Sequence, residues 1–161
     1  MMTVKFFLFM FIGMLLSCGT TPDFDSSLAD PSLSPEAVIK EPELHRGKLA
    51  LWGGIILQTQ NLKTTTQIEV LAYPLDDDNE PLIKNMPLGR FIIDHKGFLE
   101  PMIYAQGRTI TVMGTISEVK QALVGASTLS YPVLSARQLH LWPAYDKRSR
   151  STFHFGIGIE L

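Results

Sequence analysis

The sequence has little of what disulfide-bonded, catalytic or nucleic-acid-binding proteins need. A single cysteine among 161 residues cannot close an intramolecular disulfide, which excludes a disulfide-stapled domain. No HExxH or GxSxG motif and no phosphate-binding glycine loop is present, so no cofactor is expected and catalysis is disfavoured. The densest basic group, KRSR at residues 147–150, is short and the net charge is −2, which argues against nucleic acid as a partner.

A long apolar run is also lacking. The N-terminal stretch FFLFMFIGMLL, residues 6–16, is well short of the roughly 20 residues that a helix needs to cross a hydrocarbon core. Lys5 precedes this stretch and small residues follow it, which is the layout of a secretory signal peptide. We therefore expect residues 1–17 to be a signal peptide.

Cys18 follows the apolar stretch and has three possible roles: a buried filler, a reactive nucleophile or a point of covalent modification. The run Leu15-Leu16-Ser17-Cys18 resembles the bacterial lipobox. This resemblance implies a diacylglycerol on the sulfur and a further acyl chain on the amine of Cys18. Each buried methylene contributes about 0.8 kcal/mol, and two or more chains give a stable anchor. Cys18 is accordingly predicted to be the lipid attachment site, with membrane lipid as its partner.

The segment after the cysteine is rich in proline and poor in aromatic residues. It contains four prolines among serines, threonines and aspartates. Such a composition buries too little surface to offset the entropy of ordering. Residues 18–44 are therefore expected to form a flexible tether with a mean reach of about 25–30 Å.

The rest of the chain, residues 45–161, reads as one all-β domain. Five segments are rich in β-branched and aromatic residues or alternate apolar with polar ones, which indicates strands; they are residues 48–60, 64–73, 90–94, 109–117 and 133–142. Gly53 and Gly54 suggest a bulge or a sharp bend in the first strand. These features predict a small Greek-key, OB-like barrel of about five strands, and a β-sandwich remains the competing architecture.

The C-terminal stretch STFHFGIGIEL, residues 151–161, alternates large apolar residues with small or polar ones. This pattern predicts a further strand that pairs with the barrel edge, apolar side inward. Strand addition to another chain is the alternative.

An ordered set of short motifs resembles the Slp family of outer-membrane lipoproteins. The resemblance covers roughly residues 36–145 in addition to the lipobox. Its motifs are WGG at 52–54, IEV at 68–70, YPL at 73–75, GRF at 89–91, GFLEP at 97–101, ITV at 110–112, YPV at 131–133 and LHLWP at 139–143. Glu100 stands where aspartate is the more usual family residue.

Membership of this family would imply a starvation- or stationary-phase-associated lipoprotein of Gram-negative bacteria without known chemistry. In enterobacterial lipoproteins an aspartate after the acylated cysteine retains the protein in the inner membrane. Gly19 occupies that position here. The resemblance therefore implies anchoring in the outer membrane with the domain in the periplasm.

Binding is the favoured function and a small membrane-tethered periplasmic hydrolase or transferase is the alternative. Neither the four histidines nor the acidic run at residues 76–80 has the spacing of a metal site. Aromatic and arginine side chains could instead form a surface for a ligand or an envelope protein partner. The candidates for that surface are Trp52, Arg90, Tyr104, Arg108 and Trp142.

Overall fold

The computed structural model describes residues 24–144, which form a closed five-stranded barrel. The strand order around the barrel is β1-β2-β3-β5-β4, and β4 closes on β1. All neighbouring strands are antiparallel except β3 and β5, which pair in parallel. The strands are β1 (Leu49–Asn61), β2 (Thr65–Tyr73), β3 (Arg90–Lys96), β4 (Thr109–Val124) and β5 (Ser127–Leu141). The expected OB-like barrel is confirmed, and the sandwich alternative is wrong.

The period-two pattern of the sequence sets which side chains fill the barrel. Along β2, every second residue from Thr66 to Ala72 is buried and the residues between them are half-buried. Because successive side chains of a strand point to opposite faces, one apolar set lines the interior. The fully buried core includes Ile56, Ile68, Val70, Phe91, Ile93, Ile110, Val112 and Leu134.

Strand β1 bends so that it can pair with two neighbours. Its first half pairs with β4 from Leu49 onward, whereas its pairing with β2 begins only at Gly53. A Cβ atom on Gly54 would overlap the carbonyl oxygen of Leu71 and lie 2.7 Å from its carbonyl carbon, so the strands can approach this closely only at a glycine. The expected bulge lies further along, between Ile56 and Gln58.

The expectation of a flexible tether over residues 18–44 is wrong for residues 24–44, which pack on the barrel. A 3-10 turn (Ser26–Leu28) leads to helix α1 (Pro35–Lys40) and the short helix α2 (Pro42–His45). Ser34 caps α1 by accepting a hydrogen bond from the Ala37 amide, and Pro35 suits the first helical position. The segment is ordered because Leu33 and Val38 insert into the barrel core, a tertiary contact that overrides its composition.

The β4–β5 hairpin is longer than its apolar pattern predicts. The two strands continue to Val124 and Ser127, joined by a turn in which Gly125 has a φ of 62°. Residues 121–123 and 125–128 are exposed, so no buried face imposes an alternation on this part of the sequence. These residues form strands because their backbones pair across the hairpin.

Several expected features lie outside the described residues. They are the signal peptide, Cys18, the basic run at 147–150 and the strand at 151–161. Within residues 24–144, no helix has the length and apolar character that crossing a membrane requires.

Candidate binding surfaces

A cleft of about 400 Å³ lies between the N-terminal segment and the start of β1. One wall comes from residues 26–35, and the opposite wall comes from the end of β2 and the loop that follows it. Its lining is mostly apolar and includes Ala29, Leu33, Leu51, Trp52, Tyr73 and Leu88. The volume is within the range of roughly 300–1,000 Å³ that is usual for ligand sites.

Trp52 joins the N-terminal wall of this cleft to the barrel core. Its indole Nε1–H donates a hydrogen bond of 2.7 Å to the carbonyl oxygen of Leu33, and its ring meets Phe91 edge to face at 5.2 Å. The side chain is only 5% exposed. Trp52 is thus a core residue at the bottom of the cleft, and its expected role in binding stays a prediction.

An acidic turn stands at the rim of the cleft. The side-chain oxygen Oδ1 of Asp76 accepts hydrogen bonds from the amides of Asp78 and Glu80, at 3.0 and 2.8 Å. Asn79 takes a positive φ of 65°, which asparagine tolerates. Asp77, Asp78 and Glu80 remain exposed. No group of three metal-ligating side chains occurs in the described part of the chain.

A second surface lies at the other end of β1, where residues 97–108 cover the barrel; we call this segment the connector. It is held mainly through its backbone. Thr59 Oγ1 donates to the Tyr104 carbonyl at 2.6 Å, and Asn61 Nδ2 donates to the Leu99 carbonyl at 3.2 Å. Leu99 and Tyr104 pack against the core.

Three apolar side chains of the connector point outward: Phe98, Met102 and Ile103, which we call the connector patch. Phe98 is 69% exposed and Met102 is 84% exposed. The neighbouring β1–β2 turn exposes Leu62 as well. Several exposed apolar residues on one short segment are a feature of interaction surfaces, whereas scattered single ones are common on any protein.

Arg108 and Trp142 are brought together where the connector ends. Arg108 Nη2 donates to the Trp142 carbonyl at 2.8 Å, and Trp142 Nε1 donates to Thr111 Oγ1 at 2.9 Å. Arg108 Nη1 also donates to the carbonyl of Ile103. Trp142 is buried and offers little surface to a partner, so its expected role in binding stays a prediction.

Arg90 lies on the side wall of the barrel, apart from both surfaces. Its Nη1 is 2.8 Å from Glu69 Oε1. This hydrogen bond, more than the charge of Glu69 alone, raises the pKa of the Arg90 guanidinium. The nearby Tyr131 has a raised pKa because burial disfavours its charged form. The five expected surface residues therefore lie in three parts of the molecule. Trp52 lies in the cleft and Arg90 lies on the side wall. Tyr104 and Arg108 belong to the connector, and Trp142 contacts its end.

Asp94 and His95 are an acidic and a basic residue next to each other on β3, and their side chains lie on opposite faces of the strand. They follow the buried Ile93 on β3, and adjacent strand residues point to opposite faces. His95 shares the face of Phe91 and Ile93, while Asp94 is on the other face.

The sequence pattern predicts neither the cleft nor the connector patch. The apolar residues of GFLEPMIY follow neither a helical nor a strand period, and this was the one sequence signal for the connector patch.

The lipobox-like sequence and the small β-barrel domain are features of a membrane-anchored lipoprotein. The family model described as "Outer membrane lipoprotein Slp family" matches residues 15–157, and the chain belongs to this family. The protein is therefore located at the outer membrane through a lipid anchor.

Two relatives from Escherichia coli strain K12 share most of their length with this chain. The uncharacterized lipoprotein YeaY is 29% identical over 133 residues, which are 82% of this chain and 68% of the relative. The outer membrane protein Slp is 26% identical over 131 residues, or 80% of this chain and 69% of the relative.

One solved structure resembles the barrel weakly. It is a small single-stranded DNA-binding protein from Streptomyces coelicolor, with a TM-score of 0.37 and 11% identity. The match covers 60% of this chain and 94% of that protein. A likeness at this score carries no inference about binding.

Proposed function

We propose that this protein is a non-catalytic envelope protein that binds a protein partner through the connector patch. Acylated Cys18 holds it on the periplasmic side of the outer membrane, where it supports envelope integrity under starvation or stationary-phase stress. The exposure of Phe98, Met102 and Ile103 on one covering segment is the observation that carries this proposal.

The anchor constrains which end of the barrel is near the lipid. Cys18 and the packed Phe24 are six positions apart. Six residues span at most about 20 Å. The N-terminal end therefore stays close to the bilayer, and the connector, at the other end of β1, is the part available to a partner in the periplasm.

The chemistry of the connector patch suits a protein partner. Aromatic residues and methionine are enriched at protein interfaces, where they bury a large area. Met102 and Phe98 supply both types. Methionine also adapts its shape to a partner because its side chain is unbranched and flexible.

Site-specific crosslinking in living cells tests the partner. A photoreactive amino acid at position 98 or 102 is expected to give a discrete crosslinked product with an envelope protein. The matched control is position 123 on the β4–β5 hairpin, because Leu123 is 78% exposed and lies outside the connector. Equal products from positions 102 and 123, or none from either connector position, would contradict the proposal.

The anchor is tested separately. Wild-type protein should incorporate labelled palmitate and sediment with outer membranes, whereas Cys18→Ala should remain unlabelled. A wild-type protein without label would remove the anchor, while the crosslinking result would still decide the partner surface.

A further inference from the structure

We propose that residues 147–161 of this chain occupy the cleft at the N-terminal end. In this arrangement the segment 151–161 adds as a strand to the open edge of β1, and the basic run at 147–150 lies against the acidic turn at 76–80. This site is distinct from the connector patch and does not depend on the proposed partner.

On the side away from β4, the start of β1 has no strand partner. Pairing of β1 with β4 starts at Leu49, but pairing with β2 starts only at Gly53. The Leu49 carbonyl accepts a long hydrogen bond of 3.4 Å from the Asp30 amide. Backbone groups of antiparallel strands point alternately to the two sides, so the main chain of Leu51 faces the cleft as that of Leu49 does. An extended segment can pair there by strand addition.

The rim of the cleft carries unpaired negative charge. Asp77, Asp78 and Glu80 are exposed, and no lysine or arginine within 24–144 forms an ion pair with them. A segment that enters beside this turn is favoured if it carries cations. This preference distinguishes a basic peptide from an acyl chain, which gains nothing from a carboxylate rim.

The described part of the chain ends next to this rim. Trp142 Nε1 donates to Thr111 Oγ1, which in turn donates to the carbonyl oxygen of Asn79 at 2.7 Å. Asn79 both lines the cleft and belongs to the acidic turn. Three residues, 145–147, span at most about 10 Å, so the basic run begins within that distance of Ala144.

Residues 147–161 have the chemistry that the cleft and its rim require. Lys147, Arg148 and Arg150 come first, and a stretch with apolar residues at every second position follows. The apolar positions are Phe153, Phe155, Ile157, Ile159 and Leu161. The family match extends to residue 157, so most of this segment belongs to the same family domain as the barrel.

Amide hydrogen exchange at Leu51 tests the strand addition in the purified full chain in detergent. Phe155→Asp places a charge on the apolar side of the segment and should raise the exchange rate of the Leu51 amide by about tenfold, since an added strand protects an edge amide. His154→Asp, on the other side of the same segment, is the matched control and should leave that rate unchanged. Equal rates in wild type and Phe155→Asp would overturn the proposal.

A charge exchange tests the contact with the acidic turn. Arg148→Glu with Arg150→Glu should raise the Leu51 exchange rate by about threefold at low salt, because like charges then face each other. Adding Asp77→Arg and Asp78→Arg should restore protection. Failure of this restoration would overturn the placement of the basic run.

Dilution of the protein distinguishes insertion of the segment within one chain from insertion by a second copy. Protection of Leu51 that does not change with protein concentration supports insertion within one chain. Protection that is lost on dilution means that the segment comes from another copy, which overturns the intramolecular form proposed here. Neither result depends on crosslinking at the connector patch.

Discussion

The two ends of β1 are covered by segments of similar kind that behave in opposite ways. Residues 24–45 and residues 97–108 both contain proline and form no strand. The first segment buries Leu33 and Val38 in the core, whereas the second turns Phe98 and Met102 outward. A segment that covers one end of the barrel can therefore be either a wall of the core or an exposed surface, and its composition does not distinguish the two.

The difference comes from what holds each segment. The N-terminal segment is fixed mainly by its own side chains, because Leu33 and Val38 insert into the core. The connector is fixed mainly by side chains of the barrel that bond to its backbone, as Thr59 and Asn61 do. Its outer side chains are therefore free for another purpose.

The largest expected effect comes from a substitution within the barrel, which supports the covering segments at both ends of β1. Gly54→Ala would force its Cβ into the backbone at Leu71, so the free energy of unfolding should fall by at least about 3 kcal/mol in urea denaturation. Gly97→Ala, on the connector, meets no atom within 4 Å and costs only the strain of its positive φ, about 1 kcal/mol. Similar losses for the two variants would contradict the close approach of β1 to β2.

An intermediate effect is expected when leucine is replaced by alanine at one end of β1 and compared with the same substitution at the other end. Leu33→Ala removes a buried side chain and should lower the free energy of unfolding by about 2 kcal/mol. Leu62→Ala, beside the connector, removes a side chain that is 45% exposed, and should change it by less than about 0.5 kcal/mol. Equal effects at the two positions would mean that residues 24–45 are not part of the core.

The smallest expected effect is a change in how stability depends on pH, and it concerns Tyr131 on the side wall, away from both ends of β1. The pKa of Tyr131 is raised above 10.0 because burial favours its neutral form. The unfolded chain then loses its proton first as pH rises, so stability is fully present below about pH 10 and falls above it. Tyr131→Phe should reduce this fall in alkaline denaturation curves. An unchanged pH dependence in Tyr131→Phe would assign the effect to another group.

Much of the barrel could be predicted from local pattern. β2 alternates over its whole length, and its buried residues are those that the period of two selects. The outer β4–β5 hairpin could not be predicted, because its residues are exposed and carry no alternation. Of the expected surface, Trp52 and Trp142 are buried donors with partners at Leu33 and Thr111, which are far away along the chain.

The sequence alone determined the all-β class, the inward set of each alternating strand and the family, since these depend on neighbouring residues and on short ordered motifs. Tertiary structure alone decided that residues 24–44 pack on the barrel, that β1 pairs with β2 only from Gly53 onward and that the connector displays its apolar residues. These outcomes depend on contacts between residues distant in the chain, such as the 19 positions between Leu33 and Trp52, and local composition cannot encode such contacts.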